Sequence, residues 1–296
     1  MDEVGEGAFD ELRPLLFTIA YEILGSAADA EDAVQDSYLR WRDTDPATVE
    51  YLRPYLKQIV TRQSLNRLRS LSRRREEYVG NWLPEPIRTE HDASHDVLLA
   101  ESVSMAMLLV LETLGPTERA VFVLSEVFGH SLIEIADMIG KSAVTVRQIA
   151  HRARAHVGDR RKRFEPDSAT SRAVISQFML AARTGDVHTL MDVLAPDVVQ
   201  LTDGGGVVTA ARRPIVGAAE VAKYLIALAR GPMAEMTYEY GTFNALPAIL
   251  CRSTADGRLD TIQMIELTDG RITGLYAVRN PEKLRTTEVV RAIQRD

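Results

Sequence analysis

The 296-residue chain carries a single cysteine, Cys251, and few aromatic residues, 6% of the total. One thiol excludes an internal disulfide framework and any multi-cysteine metal site, and it suits a reducing cytoplasm. No uninterrupted apolar run is long enough to span a bilayer, and acids stand near the start where a signal peptide carries basic residues. Membrane insertion and export are therefore not expected. Internal repeats and low-complexity tracts are lacking as well. So is any general excess of positive charge: the formal net charge is −7, and nucleic-acid binding has to come from local patches.

Two such patches are present. Lys57, Arg62, Arg67, Arg69, Arg73, Arg74 and Arg75 form one run without an acidic residue, and residues 141–163 form a second opposed only by Asp159. The second coincides with a helix-turn-helix pattern over 131–156. Leu132, Ile135, Ala136 and Ile139 make a short amphipathic helix, Gly140 suits its C-terminal cap, and Ser142 suits the next N-cap. In the second helix Val146, Ile149, Ala150, Ala153 and Val157 form one apolar stripe. The opposite face presents Thr145, Arg147, Gln148, His151, Arg152 and Arg154, donors suited to phosphates and to purine edges in the major groove.

The length allows two or three small domains. Residues 9–72 read as wholly helical: a helix over 9–24, ended by Gly25 and Ser26, a second running through Trp41, a polar stretch over 43–50, and a third over 51–71. In the third, Leu52, Leu56, Ile59 and Val60 face the core, and Lys57, Arg62, Asn66 and Arg69 face out. Residues 76–96 break the periodicity with Gly80, Pro84 and Pro86 and carry six acids, Glu76, Glu77, Glu85, Glu90, Asp92 and Asp96, which predicts an extended acidic linker. Two helices are expected over 97–128, with Gly115 and Pro116 at the turn. After Pro166 helices over 168–183, 187–194 and 218–230 accompany strands beginning at Val198 and over 235–243, 248–253, 259–267 and 272–278. This is an α+β unit with helices on a curved antiparallel sheet.

The segment from Asp29 to Trp41, DAEDAVQDSYLRW, is similar to the second conserved region of bacterial sigma factors of the extracytoplasmic-function (ECF) type. The resemblance implies that this helix docks on core RNA polymerase, its β and β′ subunits, through Glu31, Asp32, Gln35, Asp36, Arg40 and Trp41; the dense polar face fits a charged partner. It further implies that the loop over 43–51 and the helix after it melt and read the −10 promoter element. Tyr51, Tyr55, Arg62, Gln63, Asn66, Arg67 and Arg69 are the residues for it, because unstacked bases need aromatic or polar pockets and arginines hold the displaced backbone. Related sequences often carry aspartate where Asn66 stands. The helix-turn-helix resembles the fourth region, which reads the −35 element. There Arg152 and Arg154 would set register on phosphates, and Ser142, Thr145, Arg147, Gln148 and His151 would meet bases.

Three shorter motifs narrow the resemblance to the subgroup with a fused SnoaL-like (NTF2-like) domain, often called ECF41. They are Trp82-Leu83-Pro84-Glu85-Pro86 in the linker, Asp203-Gly204-Gly205-Gly206, and Asn280-Pro281-Glu282-Lys283-Leu284. The glycine run is commonly followed by lysine in that group, and here Val207 stands in its place. The implied layout is a region 2 domain over 1–75, a linker over 76–96, a region 4 domain over 97–163, a SnoaL-like domain over 164–285 and a tail over 286–296. The last two would regulate in cis, with 280–296 contacting the helical core and the glycines allowing close approach to that surface. The acidic linker would be repelled by DNA and accepted by the positively charged channel of a polymerase.

SnoaL-like folds also host isomerases and cyclases, and Asp203, His188, Tyr238 and Tyr276 are the side chains that could move protons. No pairing in the sequence demands it. The expectation is a non-enzymatic, cytoplasmic, monomeric promoter-specificity subunit with no cofactor or metal and no membrane partner; a small molecule in a cavity of the third domain is a candidate signal, and the sequence leaves open whether one binds. Two readings stand beside it: a ligand-binding helix-turn-helix regulator, and a polyketide-cyclase-like enzyme with a DNA-binding appendage.

Overall fold

A computed structural model describes residues 3–45, 48–89, 97–158, 169–231 and 233–295. The chain forms two compact units. One comprises residues 1–77, 107–161 and 291–296; the other comprises 78–106 and 162–290.

The first unit is helical. Helix α1 (Glu3–Leu24) packs on α2 (Ala27–Arg42) and α3 (Leu52–Glu76). Ser26 caps α2 by accepting from the Asp29 amide at 3.1 Å, and Leu15, Leu16, Ile19, Ile23, Val34, Leu56 and Val60 are fully buried among the three helices. Each such side chain contributes about 1.5–3 kcal/mol by leaving water. Of the four residues expected to face inward on α3, Leu52 and Ile59 are only half-buried.

The rest of this unit holds the helix-turn-helix. Helix α6 (Pro116–Phe122) runs into a π-helical turn, Val123–Val127. Helices α7 (Leu132–Ile139) and α8 (Ala143–Gly158) follow. Ser131 and Glu134 form a reciprocal capping box, and Gly140 takes the left-handed conformation at φ 67° that favours glycine. Arg119 of α6 is 1% exposed; its guanidinium pairs with Glu112 and donates to the Glu22 carbonyl of α1 at 2.9 Å. A buried cation thus joins the two helical groups.

In the second unit α9 (Ala169–Thr184), α10 (Val187–Val193) and α11 (Ala218–Arg230) cover one face of a sheet. Its strands are β1 (Arg88–Thr89), β2 (Leu194–Asp203), β3 (Ile215–Val216), β4 (Met236–Phe243), β5 (Leu246–Ser253), β6 (Leu259–Thr268), β7 (Arg271–Val278) and the short β8 (Val290–Arg291), in the order β3-β2-β7-β6-β5-β4-β1-β8. Among β1 to β7 the sheet is antiparallel, as expected, except that β2 and β7 run parallel. Strand β3, helix α11 and strands β4 to β6 lie between them in sequence, long enough to bring the chain back in the same direction. Register shifts in the β2–β7, β5–β6 and β6–β7 pairs bend the strands.

The stretch expected to be an extended linker is instead part of this unit. Leu83, Pro84, Glu85, Pro86 and Ile87 are buried, and Glu85 accepts from the Thr286 hydroxyl at 2.7 Å. The physical reason is the apolar content of this stretch, which outweighs its single acid. Glu90, Asp92 and Asp96 lie outside the described residues. Helix α4 (Val97–Ser102) also belongs here, and α5 (Met105–Glu112) carries the chain back to the helical unit, so 97–128 holds three α-helices and a π turn instead of two helices.

The β4–β5 hairpin turns on Asn244 and Ala245, with φ of 53° and 55°, as a two-residue turn of the primed type requires. Asn244 is fully buried. Its amide accepts from Ile87 N at 3.1 Å and donates to Val103 O at 2.8 Å. Asn244→Ala leaves both groups unpaired, and we expect the thermal transition of the sheet unit, followed by calorimetry, to lose about 2–4 kcal/mol.

Candidate nucleic-acid interface and regulatory node

Helix α8 is built as the pattern predicts. Val146, Ile149, Ala150, Ala153 and Val157 are buried, and Arg147, Gln148, His151, Arg152 and Arg154 are exposed. Ser142 accepts from the Thr145 amide at 3.2 Å, so the cap fixes the N-terminal end where base contacts would start. Two of the cations have internal partners: Arg154 pairs with Glu126 at 2.7 Å and Arg152 approaches Glu118 at 3.9 Å. Arg147 and Gln148 stay directed to solvent between them. Val144, 64% exposed beside this cluster, adds an apolar group suited to a thymine methyl; its exposure on an otherwise regular amphipathic helix is the signal that marks it.

On α3 the expected −10 residues divide. Tyr51 is 66% exposed at the helix start, whereas Tyr55 bonds Thr44 at 2.9 Å and packs edge-on against Trp41. Arg62 donates to Met138 O at 2.7 Å and Asp137 O at 3.0 Å, and Gln58 to Asp137 O at 3.2 Å. These carbonyls are at the C-terminal end of α7, where the helix dipole is negative. Arg67 turns to α2, meeting Asp29 at 2.9 Å, Asp32 at 2.5 Å and Asp36 at 3.5 Å. Asn66 and Arg69 are exposed, Gln63 is half-buried, and the side chains of Arg73, Arg74 and Arg75 lie outside the described residues.

The polar face of α2 is present, with Asp32, Gln35, Asp36 and Arg40 exposed. Trp41 is 5% exposed, so it belongs to the core beneath that face and does not present a surface. Glu31 is held by Arg13 at 2.9 Å and by Arg291. Arg291 also lies 5.2 Å over the Phe17 ring, and Gln294 N donates to Thr18 Oγ1 at 3.0 Å. The last residues of the chain therefore lie on α1 and α2.

The three short motifs meet at one carboxylate. Asp203 is fully buried. Its Oδ1 accepts from Tyr78 Oη at 2.6 Å and Gly205 N at 3.0 Å; its Oδ2 accepts from Leu83 N at 2.9 Å and Lys283 Nζ at 2.7 Å. Lys283 also donates to Leu83 O and lies 4.2 Å over the Trp82 ring. Asn280 caps the short α12 (Pro281–Leu284) and donates to Tyr78 Oη at 2.9 Å. A Cβ on Gly205, at φ +65°, would stand 2.5 Å from Asn280. Gly205 thus admits the chain's own Asn280, while Gly204 closely faces Val208 and Ala210 and Gly206 faces Val79; Asn280 and Lys283 serve this node. Tyr78 lay outside the motifs in the sequence. Burial and the Asp203 hydrogen bond push its phenol up, so it stays a neutral donor.

The side chains expected to move protons are scattered. Asp203 is in this node; His188 is exposed beside Asp192 at 3.2 Å. Tyr238 donates to Met233 O at 2.8 Å. Tyr276 donates to Glu266 at 2.5 Å, and burial, with that carboxylate, raises its phenol well above the usual range. No acid–base pair among these four is assembled.

Comparison with known proteins places these features. Residues 8–74 match Sigma-70 region 2 and residues 104–157 match Sigma-70, region 4. The chain is 35% identical to the ECF RNA polymerase sigma factor SigJ of Mycobacterium tuberculosis, over 95% of this chain and 93% of that protein. It is 31% identical to the probable ECF RNA polymerase sigma factor SigI of the same organism, over 92% of each. The crystal structure of M. tuberculosis SigJ superposes with a TM-score of 0.76 at 31% identity, covering 95% of this chain and 98% of that one.

Asp203→Asn should cost about 3–5 kcal/mol, because it leaves the Lys283 ammonium partly buried beside a neutral group. Thermal unfolding and protease cleavage within 78–87 would show it. Adding Lys283→Met should recover part of the loss, and a double variant no better than the single one would refute the pairing.

Proposed function

Because the chain belongs to the extracytoplasmic-function sigma factors of RNA polymerase, we propose that it binds core polymerase through the α2 face and directs promoter-specific initiation. In this reading Tyr51, Arg62, Gln63, Asn66 and Arg69 engage the −10 element, and Ser142, Val144, Thr145, Arg147, Gln148 and His151 read the −35 element, with Arg152 and Arg154 on phosphates. The observation that supports it most is α8, with its apolar stripe buried, its start capped and its donor face outward. The protein would act in the cytoplasm and not as an enzyme; the dispersal of Asp203, His188, Tyr238 and Tyr276 favours this. The sheet unit, SnoaL-like by its motifs, would regulate in cis.

The arrangement of the helical unit is a closed one. Elements named −10 and −35 lie about 25 base pairs apart, roughly 85 Å along B-DNA, whereas Arg62 of α3 touches the end of α7. Reading both elements at once requires α3 and the helix-turn-helix to separate, and releases Arg62 for DNA. The tail works in the same sense: Arg291 occupies Glu31, one of the groups assigned to polymerase.

The direct test is transcription from a promoter library by core polymerase with and without the full-length chain; failure to direct initiation or bind core would sink the reading. Arg147→Ala should cost about 1–3 kcal/mol at the preferred −35 sequence and relax specificity there. Arg291→Glu places a second acid against Glu31, so core affinity should rise several-fold, and a fall would reverse the sign assigned to the tail. With Cys251 buried, fluorophores on Ser70→Cys and Ala155→Cys report the opening: transfer between them should drop when core is added.

A further inference from the structure

The sheet unit contains an open cavity of about 70 Å³ between the sheet and helices α9 and α11. Its helical side is largely apolar, with Phe178, Leu225 and Leu228, and carries one cation, Arg183, whose guanidinium lies 5.7 Å over the Tyr238 ring. Met179, Met233 and Met236 add flexible thioether walls that can re-pack around a guest. Its sheet side is polar and carries Gln200, Thr202, Thr261, Asp260 and Arg279.

The charges on that side cancel. Arg279 gives Nε and Nη2 to Asp260 at 3.1 and 2.9 Å, and Nη1 to Thr209 O. Burial opposes ionisation of Asp260, yet the Arg279 and Thr261 hydrogen bonds hold its carboxyl below the usual range. Burial pushes the nearby Cys251 thiol up to about 12, which keeps it neutral. Gln200 is different. It is 1% exposed, and its Nε2 donates to Leu201 O at 2.9 Å and Thr202 Oγ1 at 3.3 Å. That fixes which end of the amide is oxygen, and the buried Oε1 has no hydrogen-bond partner. Among the described cavity-lining residues it is the one buried side-chain acceptor left open, a desolvated group that a donor would satisfy.

We infer that this cavity is a binding site for a small uncharged molecule with an apolar body and one hydroxyl or N–H group, which donates to Gln200 Oε1 while the body lies against α9 and α11. An anion would find Arg279 already neutralised by Asp260 and Arg183 engaged over the Tyr238 ring, and a purely apolar guest would leave Gln200 unpaired.

The site also has a built-in route to the regulatory node. Thr202 and Asp203 are successive residues of β2, so their side chains lie on opposite faces of the sheet; the first lines the cavity and the second holds the linker. Arg279 and Asn280 repeat this division, and both their amides donate to Asp203 O, at 2.7 and 3.0 Å. A guest that shifts β2 or Arg279 therefore moves the groups that hold residues 78–83. Any effect of this on transcription rests on the regulatory reading above; binding itself does not.

The test uses the isotope-labelled full-length chain titrated with phenol, benzene and benzoate, followed by NMR shifts of the Gln200 side-chain amide and of the lining methyl groups. Phenol should bind about ten-fold more tightly than benzene, the worth of one hydrogen bond to a buried acceptor, and benzoate should bind more weakly than phenol. Gln200→Met should abolish the preference for phenol. Leu228→Trp, which fills the cavity from α11 without touching the sheet, should abolish phenol binding, and this second variant covers the case in which the first does not fold. Equal binding of phenol and benzene, tighter binding of benzoate, or no phenol shift at millimolar concentration because Gln200 is served by water alone would each overturn the proposal. Hydrogen exchange of residues 78–87 should change on phenol addition, and unchanged exchange with phenol bound would overturn the coupling.

Discussion

A carboxylate taken fully out of water has to be matched on every lone pair or it costs several kcal/mol, and Asp203 imposes that constraint on the whole sheet unit. Its two oxygens accept four hydrogen bonds, from a phenol, two backbone amides and an ammonium. These donors come from three stretches of chain far apart in sequence. None can leave without exposing the charge to an apolar interior. The linker motif, the glycine turn and the short α12 are consequently one assembly, and the Trp82 ring under Lys283 completes the matching on the cationic side.

The helical unit is held differently. Arg67 against the α2 acids, Arg154 against Glu126 and Arg291 against Glu31 are part-exposed pairs, each contributing about 0–1 kcal/mol in water. Such contacts are easily exchanged for phosphates or for the charges of a partner protein. Arg67 of the expected −10 residues and Asp32 and Asp36 of the α2 face satisfy one another here, while Arg152, Arg154 and Glu31 are met by Glu118, Glu126 and the pair Arg13 and Arg291. Closure through replaceable ion pairs lets a highly charged partner open the unit at small cost. Arg119 is the exception, since separating α6 from α1 takes its guanidinium from the Glu22 carbonyl.

Between these two regimes lies the sheet, whose alternation of side chains gives each strand two tasks. The face under α9 and α11 packs Val198, Ile249, Ile265 and Leu275 and keeps the cavity; the residues between them turn the other way, toward Asp203 and the Tyr276–Glu266 pair. A strand cannot change its position on one face while keeping it on the other, which makes β2 and the end of β7 mechanical links.

Local chemistry determined a large part of this protein. Helix α11 and the apolar stripe of α8 were legible from period alone, and the Gly140 and Ser142 caps from residue type, because helices and caps are satisfied by neighbours within a few positions. The β4 to β7 meander was legible from alternation and β-branching. The parallel pairing of β2 with β7 was not, since it depends on which distant strand fills a free edge. Nor was the burial of 83–87, where composition reads as an acidic linker and the Asn244 amide and the Asp203 carboxylate draw the chain in. Motif resemblance links Asp203, the glycines and Asn280 to Leu284 to one regulatory role, while Tyr78 has no pattern around it that marks it in the sequence. Sequence by itself determined which segments become helix or strand and which helix can meet DNA. Only the tertiary structure decided which charges are spent internally and that Asp203 is the point where three motifs converge, because a buried charge recruits its donors through space and not along the chain.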